Sequence, residues 1–311
     1  MNKVFCIGEL LIDFIGKDIG LGIKNGITFE KKAGGAPANV SAAVCKLGGT
    51  SSFLGQVGND SFGKFLVHML KSLNINTNMT KMDGYTTLAF VAIDKDGERD
   101  FEFHRGSDGD YSFDNINLDE INKKDIIHFG SATGFLDGEL KNTYFKLLKY
   151  AKENGIFISF DPNYRDMLIT EDIKERFIED CKAFIKLSDF IKLSDEEIIL
   201  ITGEKDLKEG VKKLHELGAK IVSVTLGKDG TLISNGKLLE IIPSINIVQV
   251  DSTGAGDAFV GAVLKKVSEI YDKENITFEK WKEIIGFGNK VGAITCTSYG
   301  AIDSIPTKEE L

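Results

Sequence analysis

Residues 156–194 read IFISFDPNYRDMLITEDIKERFIEDCKAFIKLSDFIKLS. The stretch opens on an apolar run, IFISF, and closes on another, DFIKLS, with the helical period of DIKERFIEDCKAFIKLS between them. Such a unit joins parallel strands through a crossover helix, since a short hairpin cannot connect parallel neighbours. Both runs are nearly continuous rather than alternating, as expected of strands covered on both faces.

The rhythm repeats in both directions. Upstream, VFCIGELLIDF (4–14) reads as one first strand, followed by a helix in ANVSAAVCKLGG (38–49) that Gly48 and Gly49 stop. Then come a strand in SSFLGQVG, a helix in SFGKFLVHMLKSLN, a strand in DIIHFG and a helix in LKNTYFKLLKYAKENG. Downstream, LKEGVKKLHELGAK is helical and IVSVTLG a strand. The pattern predicts an α/β fold in which helices cover both faces of a mostly parallel, doubly wound sheet.

Two segments depart from it. Gly16 to Lys32 is glycine-rich and weakly patterned. TTLAFVAIDKDGERDFEFHRG (86–106) reads as two alternating strands joined at Lys95-Asp96-Gly97, a hairpin signal. Together they predict a small β-flap on the main domain, serving as flange, oligomer contact or lid.

The 311 residues, 42% hydrophobic and 27% charged, suit a globular enzyme of one large α/β domain or two small ones. With 38 basic against 47 acidic side chains the net charge is −9, which argues against a nucleic-acid surface. No apolar run approaches the roughly 18 residues of a membrane helix, and MNKVFCIGELLIDF lacks a cleavable signal pattern. Cys6, Cys45, Cys181 and Cys296 form no CxxC pair and read as buried reduced thiols of a cytoplasmic protein. His68, His104, His128 and His215 show no metal spacing.

Ligands of a doubly wound sheet gather at the carboxyl ends of its strands. Polar or glycine-bearing segments fall there repeatedly: residues 8–13, 34–39, 161–165, 194–197, 225–230 and 251–257. The last, DSTGAGDAF, sets Gly254, Ala255 and Gly256 before Asp257 at an apparent helix start. Free backbone amides there suit a developing anion, yet Asp257 would repel one. Either Asp257 is a helix cap, or it faces a nucleophile and takes its proton while the amides face a phosphoryl group.

In KAGGAPANV (32–40), two glycines precede Pro37 and a helix, so the segment is either a tight turn or a close approach to a polyol, with Asn39 able to donate and accept. Arg165 of DPNYR could meet phosphate, a sugar hydroxyl or a surface acid. Ser194 reads at least as well as an N-cap as Glu197 does as a metal-linked acid. Neither a Walker P-loop nor a GxSxG elbow is present.

GGAPANV and DSTGAGDAF, at this spacing, resemble the two signatures of the ribokinase-like (PfkB) carbohydrate kinases, and with DPNYR the likeness is greatest to the fructokinases. The resemblance extends over nearly the whole chain. It implies a single domain, 1–311, built as a three-layer α/β/α sandwich with a small β-sheet lid from about 14–34 and 82–110, often dimerising through that lid. It implies ATP-dependent phosphorylation of a sugar's primary alcohol, most readily D-fructose. By motif, Asp257 would be the base, and Gly254, Ala255 and Gly256 the anion hole. Asp13, Gly34, Gly35, Asn39 and Arg165 would hold the sugar, with Phe101 or Phe103 closing from the lid. Lys192, Ser194, Thr225, Gly227, Gly230 and Asn289 would lie along ATP, and Glu197 would influence Mg2+, although Ser194 stands where the family usually has Asn. Asp251, Thr253, Thr295, Ser298, Gly300 and Ser304 fall where many members bind a monovalent cation such as K+. Sister kinases of 2-keto-3-deoxygluconate or aminoimidazole riboside share these motifs, and a non-catalytic sugar or nucleotide sensor is the alternative from another class.

Overall fold

The computed structural model describes residues 2–311, with Arg99 described through its backbone alone. The chain begins with β1 (Val4–Ile7), β2 (Leu11–Gly16), the single turn α1 (Gly22–Asn25), β3 (Phe29–Gly34) and α2 (Ala36–Lys46). It continues through β4 (Ser51–Val57), α3 (Ser61–Ser72), β5 (Thr80–Met82), β6 (Leu88–Ile93) and β7 (Arg99–His104). The repeating part follows as β8 (Ile126–Phe129), α4 (Glu139–Glu153), β9 (Phe157–Phe160), α5 (Glu171–Leu187), β10 (Phe190–Ser194) and α6 (Asp195–Thr202). Last come α7 (Leu207–Leu217), β11 (Ile221–Thr225), β12 (Thr231–Ser234), β13 (Leu239–Ile242), α8 (Ala255–Ser268) and α9 (Phe278–Thr295).

The described strands form a nine-stranded sheet, ordered β13-β12-β11-β10-β9-β8-β1-β4-β5, and a four-stranded sheet, ordered β3-β2-β6-β7. In the larger sheet the pairs from β11 to β5 are parallel, and β12 and β13 add an antiparallel edge. The opening stretch is the expected unit: β9, α5 and β10, with Phe190 beside Ser159.

Alternate residues of each strand feed opposite cores. Ile191 and Leu193 of β10 join α4, α5, α6 and α7, whereas Phe190 joins α2, α8 and α9. In the first core the ring of Phe184 meets those of Phe129, Phe135, Phe145 and Phe160 at centroid distances of 5.0–5.3 Å. Truncating such a buried ring costs about 3–5 kcal/mol. These two cores make the three layers.

VFCIGELLIDF is two strands rather than one. Gly8 has φ 145°, and a Cβ there would lie 2.4 Å from the Cβ of Ser131. Only glycine fits, and its backbone sends the chain out of the large sheet into the small one. The small sheet is built from residues 11–34 and 88–104, so its strands start earlier at β2 than the flap boundaries imply, while Met82 belongs to the large sheet. One face of it, with Phe14 and Lys31, packs against Phe62 and Phe65 of α3. The register Asp13↔Ala89↔Phe103 and Ile15↔Val91↔Phe101 puts Asp13, Phe101 and Phe103 together on the other face.

Candidate active site

Helix α8 starts at Gly254, whose left-handed φ of 76° turns the chain against Ala301, where a Cβ would fall 2.6 Å away. Asp257 lies in the first turn, and the N-cap carries no side-chain hydrogen bond. Asp257 is therefore not a cap; its Oδ2 accepts from Asn39 Nδ2 at 2.8 Å. Burial lifts the Asp257 carboxyl to about 6, while the Asn39 hydrogen bond and the charges of Arg165 and Lys192 restrain the rise.

The amide of Ala255 bonds to the Ser252 carbonyl at 3.2 Å. Gly256 and Asp257 belong to the first turn of the helix, where amides have no carbonyl partner within it. The expected residues Gly254, Ala255 and Gly256 thus lie at the positive end of α8. Beneath them Lys192 of β10 pairs with Asp161 at 3.0 Å, and its Nζ is the nearest atom to a Cβ built on Gly256. A buried pair set there places a cation under the turn with its charge balanced.

Pro37 and Asn39 sit in the first turn of α2, and Asn39 Oδ1 is buried without a hydrogen-bond partner. A Cβ on Gly34 would fall 2.0 Å from Asp13 Oδ2, so the glycine is what lets that carboxylate lie on the backbone. Gly35, at φ 114°, presses on the Glu9 carbonyl. Burial raises Asp13 to about 6, with Arg165 pulling the other way. Arg165 is exposed, and its charge acts on both Asp13 and Asp257.

Ser194 caps α6 in a capping box with Glu197. The Glu197 carboxylate accepts from the amides of Ser194 at 2.7 Å and Tyr164 at 2.8 Å, so it anchors the DPNYR turn to the end of β10. Asn163 holds that turn at φ 46° by donating to the Gly130 carbonyl at 2.9 Å. Among the described residues no group of three or more His, Cys, Asp or Glu side chains has metal-holding geometry.

Thr225, Gly227 and Gly230 end β11 and form the turn to β12, as the loop reading anticipates. Asn289 lies in α9; its Nδ2 donates to the carbonyls of Ile242 and Pro243 and its Oδ1 accepts from Thr231, so the amide ties the helix to the β12–β13 edge. Asp251 Oδ1 accepts from Thr253, and Oδ2 from the Gly300 amide at 3.0 Å, joining the two loops of the expected cation site. Ser304 donates to the carbonyls of Gly300 and Ala301, Thr295 to that of Val291 at 3.0 Å, and Ser298 is exposed. Phe101 and Phe103 stack with centroids 6.2 Å apart.

Asp161 and Glu9 lie in the strand-end segments but carry no assigned role in the sequence reading. The signal for Glu9 is a charged residue inside an otherwise apolar run, and for Asp161 an acid directly after one. Cys6 and Cys181 are buried as expected, whereas Cys45 and Cys296 are partly exposed; all four are free.

Residues 1–308 match the profile described as pfkB family carbohydrate kinase. The chain is 37% identical to the probable fructokinase-5 of Arabidopsis thaliana over 312 residues, covering 98% of this chain and 94% of the relative. It is 37% identical to the fructokinase-2 of Zea mays, covering 98% and 92%. Among solved structures it resembles a fructokinase double mutant from Vibrio cholerae, bound to fructose, ADP and potassium ion, with a TM-score of 0.87 at 28% identity over 98% of this chain and 96% of that one. It also resembles the aminoimidazole riboside kinase of Salmonella enterica complexed with aminoimidazole riboside and an ATP analog, with a TM-score of 0.86 at 25% identity over 99% and 97%.

Proposed function

The chain belongs to the pfkB family of carbohydrate kinases, and on that premise we propose that it transfers the γ-phosphoryl group of ATP to the C6 hydroxyl of D-fructose, giving fructose 6-phosphate and ADP. The observation that carries this reading is the Asp257 carboxyl, buried at the start of α8 and held by an amide rather than spent on capping.

In this reading the sugar lies between the Gly34–Asn39 turn and the lid face that carries Asp13, Phe101 and Phe103. Asp257 accepts the hydroxyl proton as the new O–P bond forms and the bond to the ADP oxygen breaks. A base of this kind contributes on the order of 10²–10⁴-fold. The α8 amides and the Lys192 ammonium face the transferring group, where preorganised charge acts with little reorganisation. ATP runs from there along Ser194 and the Thr225–Gly230 turn, with Asn289 fixing the wall behind the adenine ring of ATP through Ile242 and Pro243.

Magnesium fits this site through water: both Glu197 oxygens already accept backbone amides, leaving lone pairs for a hydrated ion on the ATP phosphates. Bound there, it would neutralise phosphate charge. The carboxylate, hydroxyl and carbonyl oxygens of Asp251, Thr253, Thr295, Ser298, Gly300 and Ser304 are hard donors of the kind a potassium ion takes. Loaded with potassium, the two loops would hold the start of α8 more rigidly. We further propose a cytoplasmic homodimer joined through the small sheet, whose connection exposes Ile19 and Ile27.

A coupled ADP-release assay over fructose, aminoimidazole riboside and 2-keto-3-deoxygluconate tests the reading. Turnover fastest with fructose supports it; a better riboside or sugar acid moves the chain to a sister kinase. No sugar-dependent ADP release from any of them would make it a sensor.

A further inference from the structure

Within the described residues the chain crosses between the two sheets at four places: residues 8–10, residue 35, residues 83–87 and residues 105–110. One buried polar chain touches all of them. At the first crossing Glu9, 2% exposed, accepts from the Ala36 amide at 3.1 Å with one carboxylate oxygen, just past the second crossing. Its other oxygen accepts from the Ser131 hydroxyl. Ser131 in turn accepts from the Thr133 amide at 3.1 Å, and the Thr133 hydroxyl donates to Asp108 Oδ2 at 2.8 Å. Asp108, on the fourth crossing, accepts from Thr87 on the third with its remaining oxygen and meets Arg105 at 3.4 Å. Thr87 closes the circuit: its hydroxyl accepts from the Gly106 amide at 2.9 Å, and its carbonyl from the Ile12 amide at 3.1 Å.

Two buried carboxylates are a costly way to fill space unless every oxygen is met. Here each accepts protein donors at both oxygens, and the groups joined are the roots of the lid and the turn carrying Gly34 and Gly35. Packing alone would not require the chain to run through every crossing.

Resting on the kinase reading above, we propose that Glu9 is a positioning residue for the acceptor alcohol. Through Ser131, Thr133 and Asp108 it sets the Gly34–Ala36 turn and the four lid roots as one unit, so that the lid residue Asp13 and the α2 residue Asn39 keep their spacing about the sugar.

The variants are Glu9→Gln, which keeps the volume but has one acceptor oxygen and so cannot accept from Ala36 and Ser131 together, and Thr133→Val, which breaks the chain two links away. Thr143→Val removes a buried hydrogen bond to the Tyr111 carbonyl outside the network and serves as the stability control. Both network variants should raise the KM for fructose about tenfold, the loss expected for one charge-assisted bond, with the KM for ATP within about twofold. Hydrogen exchange of the sugar-free protein should speed up together at residues 34–39 and 88–104. An unchanged fructose KM, equal rises for fructose and ATP, or a profile matching Thr143→Val would overturn the proposal, as would loosening of one segment alone. Should Glu9→Gln not fold, Thr133→Val decides. Should the parent protein phosphorylate no sugar, the kinase reading fails while the exchange result still decides the coupling.

Discussion

The Asn39 amide donates to Asp257 across 218 positions of sequence, tying the first turns of α2 and α8 at 2.8 Å. Each helix belongs to one of the two motifs by which the family is recognised, so the motifs meet in a single hydrogen bond. The bond fixes one carboxylate oxygen; in the proposed reaction the other would face the acceptor hydroxyl.

That bond also lowers the Asp257 pKa against the pull of burial. Asn39→Ala should therefore move the acid limb of the kcat/KM profile upward from about 6, and Asn39→Asp should move it further, since a like charge disfavours ionisation. A limb that stays in place in both variants would show that Asn39 does not tune the base.

Asp257 should trade stability for activity. Its folded value, about 6, lies above the ordinary 3.8. A raised acid contributes stability fully present below 3.8 and lost as pH climbs through 6, on the order of 3 kcal/mol for a two-unit rise. Asp257→Asn, which has no charge to bury, should raise the melting temperature at pH 7.5 and lose that advantage toward pH 4. Its kcat should fall by about 10²–10⁴-fold with ADP affinity little changed. Equal melting differences at both pH values, or an unchanged kcat, would refute the assignment.

Apolar strand runs and helical periods made the parallel sheet legible, because strands buried on both faces leave no alternation to confuse with a surface. The break at Gly8 was not, since its cause is the side chain of Ser131, over a hundred residues away. The partners of Asn289 were hidden for a similar reason: the Ile242 and Pro243 carbonyls that it meets belong to β13 and the loop after it, which carry weak local patterns. Glycine-flanked Asp257 could be located from sequence, but whether it capped its helix depended on Asn39, a contact only the fold supplies.

Gly34→Ala tests the sugar side. The new methyl would fall 2.0 Å from Asp13 Oδ2, a side-chain end that can swing away, and the backbone at Gly34 is not left-handed. The melting temperature should hardly move, while the KM for fructose rises about tenfold or more as Asp13 is displaced. An unaltered KM would remove Asp13 from the sugar site.

Asp251 joins the Thr253 and Gly300 loops. If potassium stiffens them around the α8 start, turnover should be several-fold faster in potassium than in tetramethylammonium buffer, as fixed dipoles at a charge-developing site predict. Asp251→Ala should abolish the difference. Equal rates in both salts for the parent protein would discard the cation site.

Phe101 and Phe103 share a sheet face with Asp13 through the Asp13↔Ala89↔Phe103 register, so any sugar held by Asp13 lies beneath these rings. A lid that closes on the sugar excludes water from the transfer. Fructose should then slow hydrogen exchange at Arg99–His104, and Phe103→Ala should raise the fructose KM while increasing ATP hydrolysis relative to sugar phosphorylation. The two readouts separate a lid from a flange, because a subunit contact would protect the same strand with or without fructose. Protection that ignores the sugar, with hydrolysis unchanged in the variant, would make the face an interface instead.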